Sequence, residues 1–284
     1  MEIEKENTYF VGQSPSEASR LENQDHLLNM QGLLTPLTAQ EQSQLKDVLD
    51  LACGAGVWGS EVAQTLPDCQ VLCTDADADI VEYARTTAEF RDLSNISFQI
   101  MNALKPFPFE DNSFDLVNAR FINGFLMKDD WPVMLREIHR VVRPGGLIRL
   151  TEYEMGISNG PVSEKLTNIY LQAWRQAGRS FSPGGRTLGL LPVMPRLLAE
   201  AGFKNFRREP HLVDYSYGEE AHEAWVQNLK VLYKLGQGFL TKVTKVISED
   251  EMNRLYDEVV AEMDTESFSA IWIFITVVGQ KALE

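Results

Sequence analysis

Hydrophobic and polar positions follow two different periods along the first half of the chain. Short apolar runs predict β-strands, and between them apolar positions recur at the spacing of amphipathic helices. The predicted strands are Asp47–Ala52, Gln70–Thr74, Ile96–Met101, Phe114–Ala119 and Leu147–Thr151. Because strands that alternate with helices usually form a parallel sheet covered on both faces, this half of the chain predicts an α/β fold.

The remaining segments are mainly helical in pattern. A short amphipathic helix is predicted near the start, at Ser16–Met30. Beyond the fifth strand the pattern predicts helices at Pro161–Gly178, Pro192–Ala201, Glu219–Leu235 and Ser248–Met263, a sixth strand at Phe203–Arg208 and a last strand at Ala270–Val278. The sheet-forming part is therefore expected to carry helical additions on both sides in sequence.

A glycine-rich turn follows the first predicted strand, in the segment Val48–Gly59. The strand contains Asp50, and the turn brings Gly54 and Gly56 directly before a helix. A junction of this kind leaves backbone N–H groups unpaired and allows a ligand to approach where no Cβ intrudes. The segment predicts a site for a nucleotide-like cofactor.

Two kinds of cofactor are compatible with this turn. Gly54, Gly56 and Gly59 satisfy the dinucleotide pattern G-x-G-x-x-G, and Asp75 lies 21 residues beyond Gly54. A carboxylate at Asp50, however, would repel a pyrophosphate and attract a cation. S-adenosylmethionine carries an ammonium and a sulfonium and has no phosphate, so it fits better. A nicotinamide oxidoreductase is the less favoured alternative.

Four ordered segments resemble the class I S-adenosylmethionine-dependent methyltransferases, in the ubiquinone/menaquinone-type branch that acts on small molecules. They are Val48–Val57, Val71–Asp75, Met101–Arg120 and Arg140–Glu152. The resemblance implies a Rossmann-like, mostly parallel sheet of seven strands with helices on both faces. It also implies that the last strand is antiparallel and lies between the fifth and sixth.

The resemblance assigns cofactor roles to particular residues. Asp50 would orient the methionyl ammonium, Asp75 would accept hydrogen bonds from the ribose hydroxyls, and Asn102 would accept from the adenine amino group, where the family usually carries an acid. Arg20 would pair with the cofactor carboxylate, although a solvated helix face explains Arg20 equally well. The predicted cofactor-binding residues are Tyr9, Arg20, Gln24, Asp50, Ala52, Cys53, Gly54, Gly56, Asp75, Ala76, Asn102, Ala103 and Ala119.

The expected organisation is an N-terminal helical lid over residues 1–44 and a methyltransferase domain over residues 45–284. Helical insertions at about 155–190 and 217–265 are expected to form the acceptor site, since they follow strands that end at the ligand-binding edge. Large side chains in the insertions would line an apolar pocket or belong to ordinary core. They are Met155, Tyr170, Trp174, Tyr217, Trp225 and Tyr233.

No general base stands out. Glu152 and Tyr153 end the fifth strand at the reactive edge, and His26 and His211 each fall in one helical addition. These four are the candidates, whereas His139 is expected to be structural and His222 to lie on the surface. The predicted function is methyl transfer to a small, apolar or aromatic, natural-product-like acceptor. A cyclase or rearrangement enzyme on the same scaffold and a non-catalytic binding module remain open.

Composition and charge restrict the kinds of partner that the protein is expected to bind. The net charge is −15 and no basic stripe is present, which disfavours nucleic acid and anionic membranes. No signal peptide is recognised, the longest apolar run, Ala270–Val278, is too short to span a bilayer, and the three cysteines suit a reducing compartment. A cytoplasmic enzyme without a metal is expected. The acceptor atom is not determined, and a homodimer is left open.

Overall fold

The computed structural model describes residues 10, 15–29, 32 and 36–283. Its strands are β1 (Asp47–Leu51), β2 (Gln70–Asp75), β3 (Ile96–Ile100), β4 (Phe114–Arg120), β5 (Val142–Tyr153), β6 (Ile157–Ser158), β7 (Phe203–Asp214) and β8 (Ala270–Lys281). Its α-helices are α1 (Pro15–Asn29), α2 (Ala39–Gln44), α3 (Val57–Thr65), α4 (Ala78–Phe90), α5 (Trp131–Val141), α6 (Pro161–Gln176), α7 (Met194–Glu200), α8 (His222–Gly238) and α9 (Glu249–Met263).

Within the described residues the sheet has the order β3-β2-β1-β4-β5-β8, with β7 on the other edge of β8. The strands β1 to β5 pair in parallel, whereas β8 is antiparallel to both β5 and β7. The predicted mostly parallel sheet, with an antiparallel last strand inserted between the fifth and sixth predicted strands, is confirmed, but among the described residues the sheet has eight strands instead of seven. The two-residue strand β6, which pairs with the start of β8, was not predicted.

Successive strand residues face opposite layers of helices. Leu49 and Leu51 pack in one core with α5 and α7, whereas Val48 and Val71 pack in another core with Trp58 on α3. The two layers follow from the strand period of two. A third and strongly aromatic core lies among α6, α8 and α9, beyond the ends of β7 and β8.

Some boundaries differ from the sequence prediction. β7 continues to Asp214 instead of ending at Arg208, because its whole length pairs with β8. β5 begins at Val142, before Pro144-Gly-Gly146, and a register shift opposite Phe114–Leu116 accommodates the turn residues. Helix α2 was missed, although Thr38 and Glu41 form a capping box at its start.

Helix α1 lies across the carboxyl ends of the central strands and packs on α3 and α8. None of the helices in the described parts of the chain is both long and apolar enough to cross a membrane.

Candidate cofactor and acceptor site

An open cleft lies at the carboxyl ends of β1, β2 and β4, where parallel sheets usually bind their ligands. The glycine turn after β1, the acid that ends β2 and the residues after β3 form its walls. The described residues that line it are Leu21, Asp25, Asp50, Ala52, Cys53, Gly54, Asp75, Ala76, Asp77, Ile80, Ile100, Met101, Asn102, Ala103, Arg120, Phe121 and Phe125.

The glycine turn requires glycine for two reasons. Gly54 and Gly56 have φ angles of 56° and 72°, in the left-handed region that residues with a Cβ rarely adopt. A Cβ at Gly56 would also lie 2.9 Å from Cε1 of Phe98 and 3.0 Å from Cβ of Ala84. The turn therefore keeps its backbone close to the wall of the cleft and open to a ligand on the other side.

Asp50 occupies the floor of the cleft and is almost fully buried. Its Oδ1 accepts a hydrogen bond of 2.7 Å from Nδ2 of Asn118, whose Oδ1 in turn accepts one of 2.8 Å from Nη1 of Arg149. Its Oδ2 is buried and has no hydrogen-bond partner among the described residues. Burial raises the pKa of Asp50 from 3.8 to about 6. An unpaired carboxylate oxygen in this position suits a cationic ligand group.

Asp75 and Asn102 mark the far end of the cleft. Asp75 accepts hydrogen bonds from the backbone N–H groups of Gly54 at 3.0 Å and of Asp77 at 3.1 Å, yet burial still raises its pKa. Asn102 accepts a bond of 2.9 Å from the N–H of Leu104, which fixes the side-chain orientation at the end of β3. Asp77 caps α4 through its Oδ1.

Helix α1 closes the cleft from above. Leu21 lies against the glycine turn, where a Cβ on Gly54 would be 3.2 Å from Leu21 Cδ1. Asp25 forms a buried ion pair of 2.8 Å with Arg120 at the end of β4. Glu22 accepts a hydrogen bond of 2.8 Å from the Tyr83 hydroxyl on α4. Three separate contacts thus fix α1 over the strand ends.

A second cavity adjoins the cleft and is predominantly aromatic. It encloses about 760 Å³, including the space open to solvent. Helices α1, α6 and α8 and the strands β5 and β8 contribute its walls. The described residues that line it are Phe10, Arg20, Leu21, Gln24, Phe121, Tyr153, Met155, Thr167, Tyr170, Trp174, Trp225, Asn228, Leu229, Leu232, Tyr233, Trp272 and Phe274.

Buried hydrogen-bond donors are left unpaired on three residues that line the aromatic cavity. The Tyr170 hydroxyl and the indole N–H groups of Trp174 and Trp225 have no partner among the described residues. Buried polar groups normally find a partner. The arrangement therefore favours an occupant that carries hydrogen-bond acceptors.

Most predicted cofactor residues lie together at the cleft. Asp50, Ala52, Cys53, Gly54, Asp75, Ala76, Asn102 and Ala103 line it, and Gly56 and Ala119 lie in the turn and strand behind it. Arg20 and Gln24 instead line the aromatic cavity. Arg20 forms a bidentate pair with Glu17 at 2.6 and 2.7 Å and also donates to Gln24 and Asn228, so its geometry does not favour the predicted cofactor carboxylate. Tyr9 lies outside the described residues.

The candidate bases are dispersed. Tyr153 lines the aromatic cavity, but Glu152 points into the protein, where Oε1 accepts a bond of 3.2 Å from the N–H of Asn123. His26 is half-exposed beside Glu61, and His211 lies on β7 instead of in a helical insertion, with its ring 3.1 Å from Oγ1 of Thr276. Neither histidine lines either cavity.

The expectations about the exposure of His222 and Tyr217 were wrong. His222 is buried, and its Nδ1 lies 2.9 Å from the backbone oxygen of Tyr215. Tyr217 is exposed and lies outside the aromatic cavity, whereas the other five large residues proposed for an apolar pocket line it. Across the described residues no group of three His, Cys, Asp or Glu side chains is placed to hold a metal ion.

Sequence reasoning missed the contribution of Leu21, Asp25 and Phe121. Asp25 and Leu21 lie one turn apart on α1, so a carboxylate and an apolar residue on one helix face were the available signal. Phe121 immediately follows β4 and lines both cavities. Arg120, at the end of β4, pairs with Asp25 on α1.

Comparisons with known proteins agree with this geometry. Residues 48–146 match the family model described as a methyltransferase domain. The demethylmenaquinone methyltransferase of Listeria monocytogenes is 30% identical over 177 residues, which cover 58% of this chain and 73% of that protein.

Other similarities are less extensive. The methyltransferase str3 of Strobilurus tenacellus is 32% identical over 42% of this chain, and the match spans only 39% of the Strobilurus protein. Phosphoethanolamine N-methyltransferase 2 of Haemonchus contortus, solved in complex with S-adenosylhomocysteine, shares the fold with a TM-score of 0.52 at 19% identity, over 91% of this chain and 52% of its own.

The match to the family model therefore lies on the segment that builds the cofactor cleft, and the separate similarity to the Listeria enzyme covers 73% of that protein. The chain belongs to the class I S-adenosylmethionine-dependent methyltransferases.

Proposed function

We propose that the protein transfers the methyl group of S-adenosylmethionine to a small aromatic acceptor held in the aromatic cavity. The observation that carries this proposal is the adjacency of the two cavities, which share Leu21 and Phe121 as walls. A polar cleft of the kind that holds the cofactor thus meets an apolar cavity of the kind that holds a small molecule.

The cleft fits the cofactor on three counts. The unpaired, buried Oδ2 of Asp50 suits an ammonium, and Asp75 stands where ribose hydroxyls would bind. Gly54 lines the cleft with a positive φ that glycine adopts without strain, so the turn allows a ligand to approach the backbone closely. When bound, S-adenosylmethionine supplies an electrophilic methyl group on a sulfonium. The protein's own contribution is to align the acceptor and to exclude water.

The lining of the aromatic cavity restricts the acceptor's chemistry. No aspartate or glutamate is among the described lining residues, so an acceptor with a positive charge would find no counter-ion. The unpaired donors on Tyr170, Trp174 and Trp225 suit carbonyl, hydroxyl or ether oxygens. We therefore infer a neutral or weakly acidic aromatic acceptor that carries oxygen substituents.

Among the described residues that line the cavity, no side chain is a base of ordinary strength. Burial raises the pKa values of the Tyr153, Tyr170 and Tyr233 hydroxyls above their usual range, so these side chains remain protonated near neutral pH. Neither histidine candidate reaches the cavity. An acceptor whose nucleophile ionises readily by itself, such as a phenol or an enol, requires less help from the protein.

The test is to incubate the protein with S-adenosylmethionine and a panel of hydroxylated benzenes and naphthalenes. The proposal predicts that S-adenosylhomocysteine and a methylated product accumulate in equal amounts. The Tyr170→Phe variant should raise KM, because it removes a donor from the cavity, whereas Tyr217→Phe, outside the cavity, should not. A product that forms without S-adenosylhomocysteine would contradict methyl transfer and support the cyclase or rearrangement alternative.

A further inference from the structure

We propose that Glu152 is a positioning residue that locks Phe121 in a left-handed backbone conformation, so that the Phe121 ring forms a partial partition that narrows the passage between the cofactor cleft and the aromatic cavity. The names of the two cavities rest on the proposed function. The locked aromatic partition is an additional device, which methyl transfer as such does not require.

The backbone of Phe121 is unusual. Its φ and ψ angles are 57° and 27°, in the left-handed helical region. In that region the Cβ of an L residue approaches the following carbonyl oxygen, and a bulky side chain is a rare occupant. Such a conformation persists only where the surrounding structure imposes it.

Several hydrogen bonds around Phe121 hold its backbone in this left-handed conformation. The N–H of Phe121 donates to the oxygen of Thr151 on β5 at 3.0 Å, and its own carbonyl accepts from Gly124 at 3.2 Å. The 3-10 turn Ile122–Gly124 then places the N–H of Asn123 3.2 Å from Oε1 of Glu152, and the N–H of Ile122 hydrogen-bonds to the same carboxyl group.

The burial of Glu152 carries a desolvation cost. Its side chain is fully buried, its Oε2 has no partner among the described residues, and burial raises its pKa to about 8. An apolar side chain of similar size would avoid this desolvation. The carboxyl group is explained if its task is to satisfy the backbone N–H groups at the start of the turn, which would otherwise be buried without a partner.

The ring of Phe121 lies between the cavities. On one side its centroid is 5.9 Å from that of Tyr153 and 5.7 Å from that of Phe274, which both line the aromatic cavity. On the other side the guanidinium carbon of Arg120, which lines the cleft, is 5.8 Å from the ring centroid. Removing the ring should widen the passage between the two cavities.

Stability measurements test the lock without any ligand. Phe121→Gly and Phe121→Ala both lose the ring, but only glycine adopts the left-handed conformation without strain. Phe121→Gly should therefore have an unfolding equilibrium constant about 5- to 30-fold smaller than that of Phe121→Ala. Phe125 has an ordinary φ of −127° and lines only the cleft, so Phe125→Gly should be no more stable than Phe125→Ala. The same order of stability at both positions would overturn the lock.

Acrylamide quenching of tryptophan fluorescence tests the partition. Trp174, Trp225 and Trp272 line the aromatic cavity and are at most 7% exposed. Because the packed Phe121 ring narrows the path that the quencher must take, Phe121→Gly should raise the quenching constant at least about twofold. S-adenosylhomocysteine should suppress the increase, and Phe125→Gly should leave the constant near wild type. A wild-type constant in folded Phe121→Gly would overturn the partition.

Two substitutions of Glu152 complete the test. Glu152→Gln keeps an oxygen that accepts hydrogen bonds from the turn, so this variant should show the wild-type quenching constant. When Glu152→Gln is combined with each substitution at position 121, the glycine variant should still be more stable than the alanine variant. Glu152→Leu fills the space but offers no hydrogen-bond acceptor. It should raise the quenching constant and remove the stability difference between glycine and alanine at position 121. If Glu152→Leu does not fold, Glu152→Asn, which keeps an acceptor one methylene short, takes its place and should give the same raised quenching. If Glu152→Gln and Glu152→Leu (or Glu152→Asn in its place) have the same quenching constant and the same stability difference at position 121, the proposed role of Glu152 is wrong.

The proposed function can fail separately. If the wild type does not bind S-adenosylhomocysteine in a calorimetric titration, the proposed function is wrong. The stability and unliganded quenching comparisons would still decide whether Phe121 is a locked partition.

Discussion

Oδ2 of Asp25 lies 2.8 Å from Nη2 of Arg120, and this buried ion pair joins helix α1 to the end of strand β4. Both side chains line the cofactor cleft. Asn29, one turn further along α1, accepts a second hydrogen bond from Arg120 at 3.3 Å. Helix α1 thus forms one wall of the cleft and is attached to the sheet by polar contacts at the same place, so it is suited to act as a lid.

Deleting residues 1–30 should weaken binding of S-adenosylhomocysteine about tenfold or more, because the cleft loses Leu21 and Asp25. Most of the loss should be in the dissociation rate, which stopped-flow fluorescence measures. His26→Ala, which removes only a half-exposed contact with Glu61, is the matched control and should bind normally. Full affinity in the truncated protein would show that α1 is not a lid.

Asp50→Asn should weaken S-adenosylhomocysteine binding by about 1.5–3 kcal/mol, because the amide cannot offer a charged acceptor to the ammonium. Isothermal titration of both proteins at pH 7.5 provides the comparison. Since Asn118 can still donate to the new side-chain oxygen, the fold should be preserved. An unchanged affinity would remove Asp50 from the cofactor site.

The same substitution should stabilise the protein without cofactor. In the folded state the pKa of Asp50 is raised to about 6, so the folded protein retains a proton that the unfolded chain has already lost. Stability therefore falls as pH rises from about 4 to 6 and stays reduced above that range. At pH 8 the Asp50→Asn variant should exceed the wild type by about 2–3 kcal/mol in urea unfolding, and near pH 3.5 the two should converge. A pH-independent difference would contradict this linkage.

Asp75→Ala should reduce affinity for S-adenosylhomocysteine by about 1–3 kcal/mol, through loss of hydrogen bonds to the ribose. Asp79→Ala is a suitable control, because Asp79 lies in the first turn of α4 but does not line the cleft. Calorimetric titration should show a large effect for the first variant and almost none for the second. Equal affinities would refute the ribose assignment.

Gly59→Ala tests the packing of α3 on the sheet. A Cβ at this position would lie 2.2 Å from Sγ of the buried Cys73, so the variant should lose about 1–3 kcal/mol of stability through overpacking. At Gly238, the last residue of α8, nothing lies within 4 Å of the corresponding Cβ and φ is −60°. Gly238→Ala should therefore be neutral or stabilising by up to about 1 kcal/mol in the same thermal denaturation experiment.

The cofactor cleft was largely predictable from the sequence because its determinants are local. Asp50, Gly54 and Gly56 fall within one strand–turn–helix junction, and Asp75 ends the next strand. Short-range chemistry fixes their relative positions once the strands pair in parallel. The sheet order was predictable for the same reason, through the resemblance that those segments carry.

The acceptor side was less predictable because it depends on contacts between distant segments. Strand periodicity places Glu152 and Tyr153 on opposite faces of β5, but it does not tell which face meets a cavity. His211 lies on a strand because β7 pairs with β8 over residues about 65 positions apart, which no local pattern indicates. The conformation of Phe121 likewise depends on Glu152 on the neighbouring strand.

The glycine turn and its acids should bind S-adenosylmethionine instead of a dinucleotide. Isothermal titration of the whole protein with S-adenosylhomocysteine, and separately with NADH, distinguishes the two cofactors. We expect micromolar binding of S-adenosylhomocysteine and no heat of binding with NADH. Tight binding of NADH without binding of S-adenosylhomocysteine would contradict it.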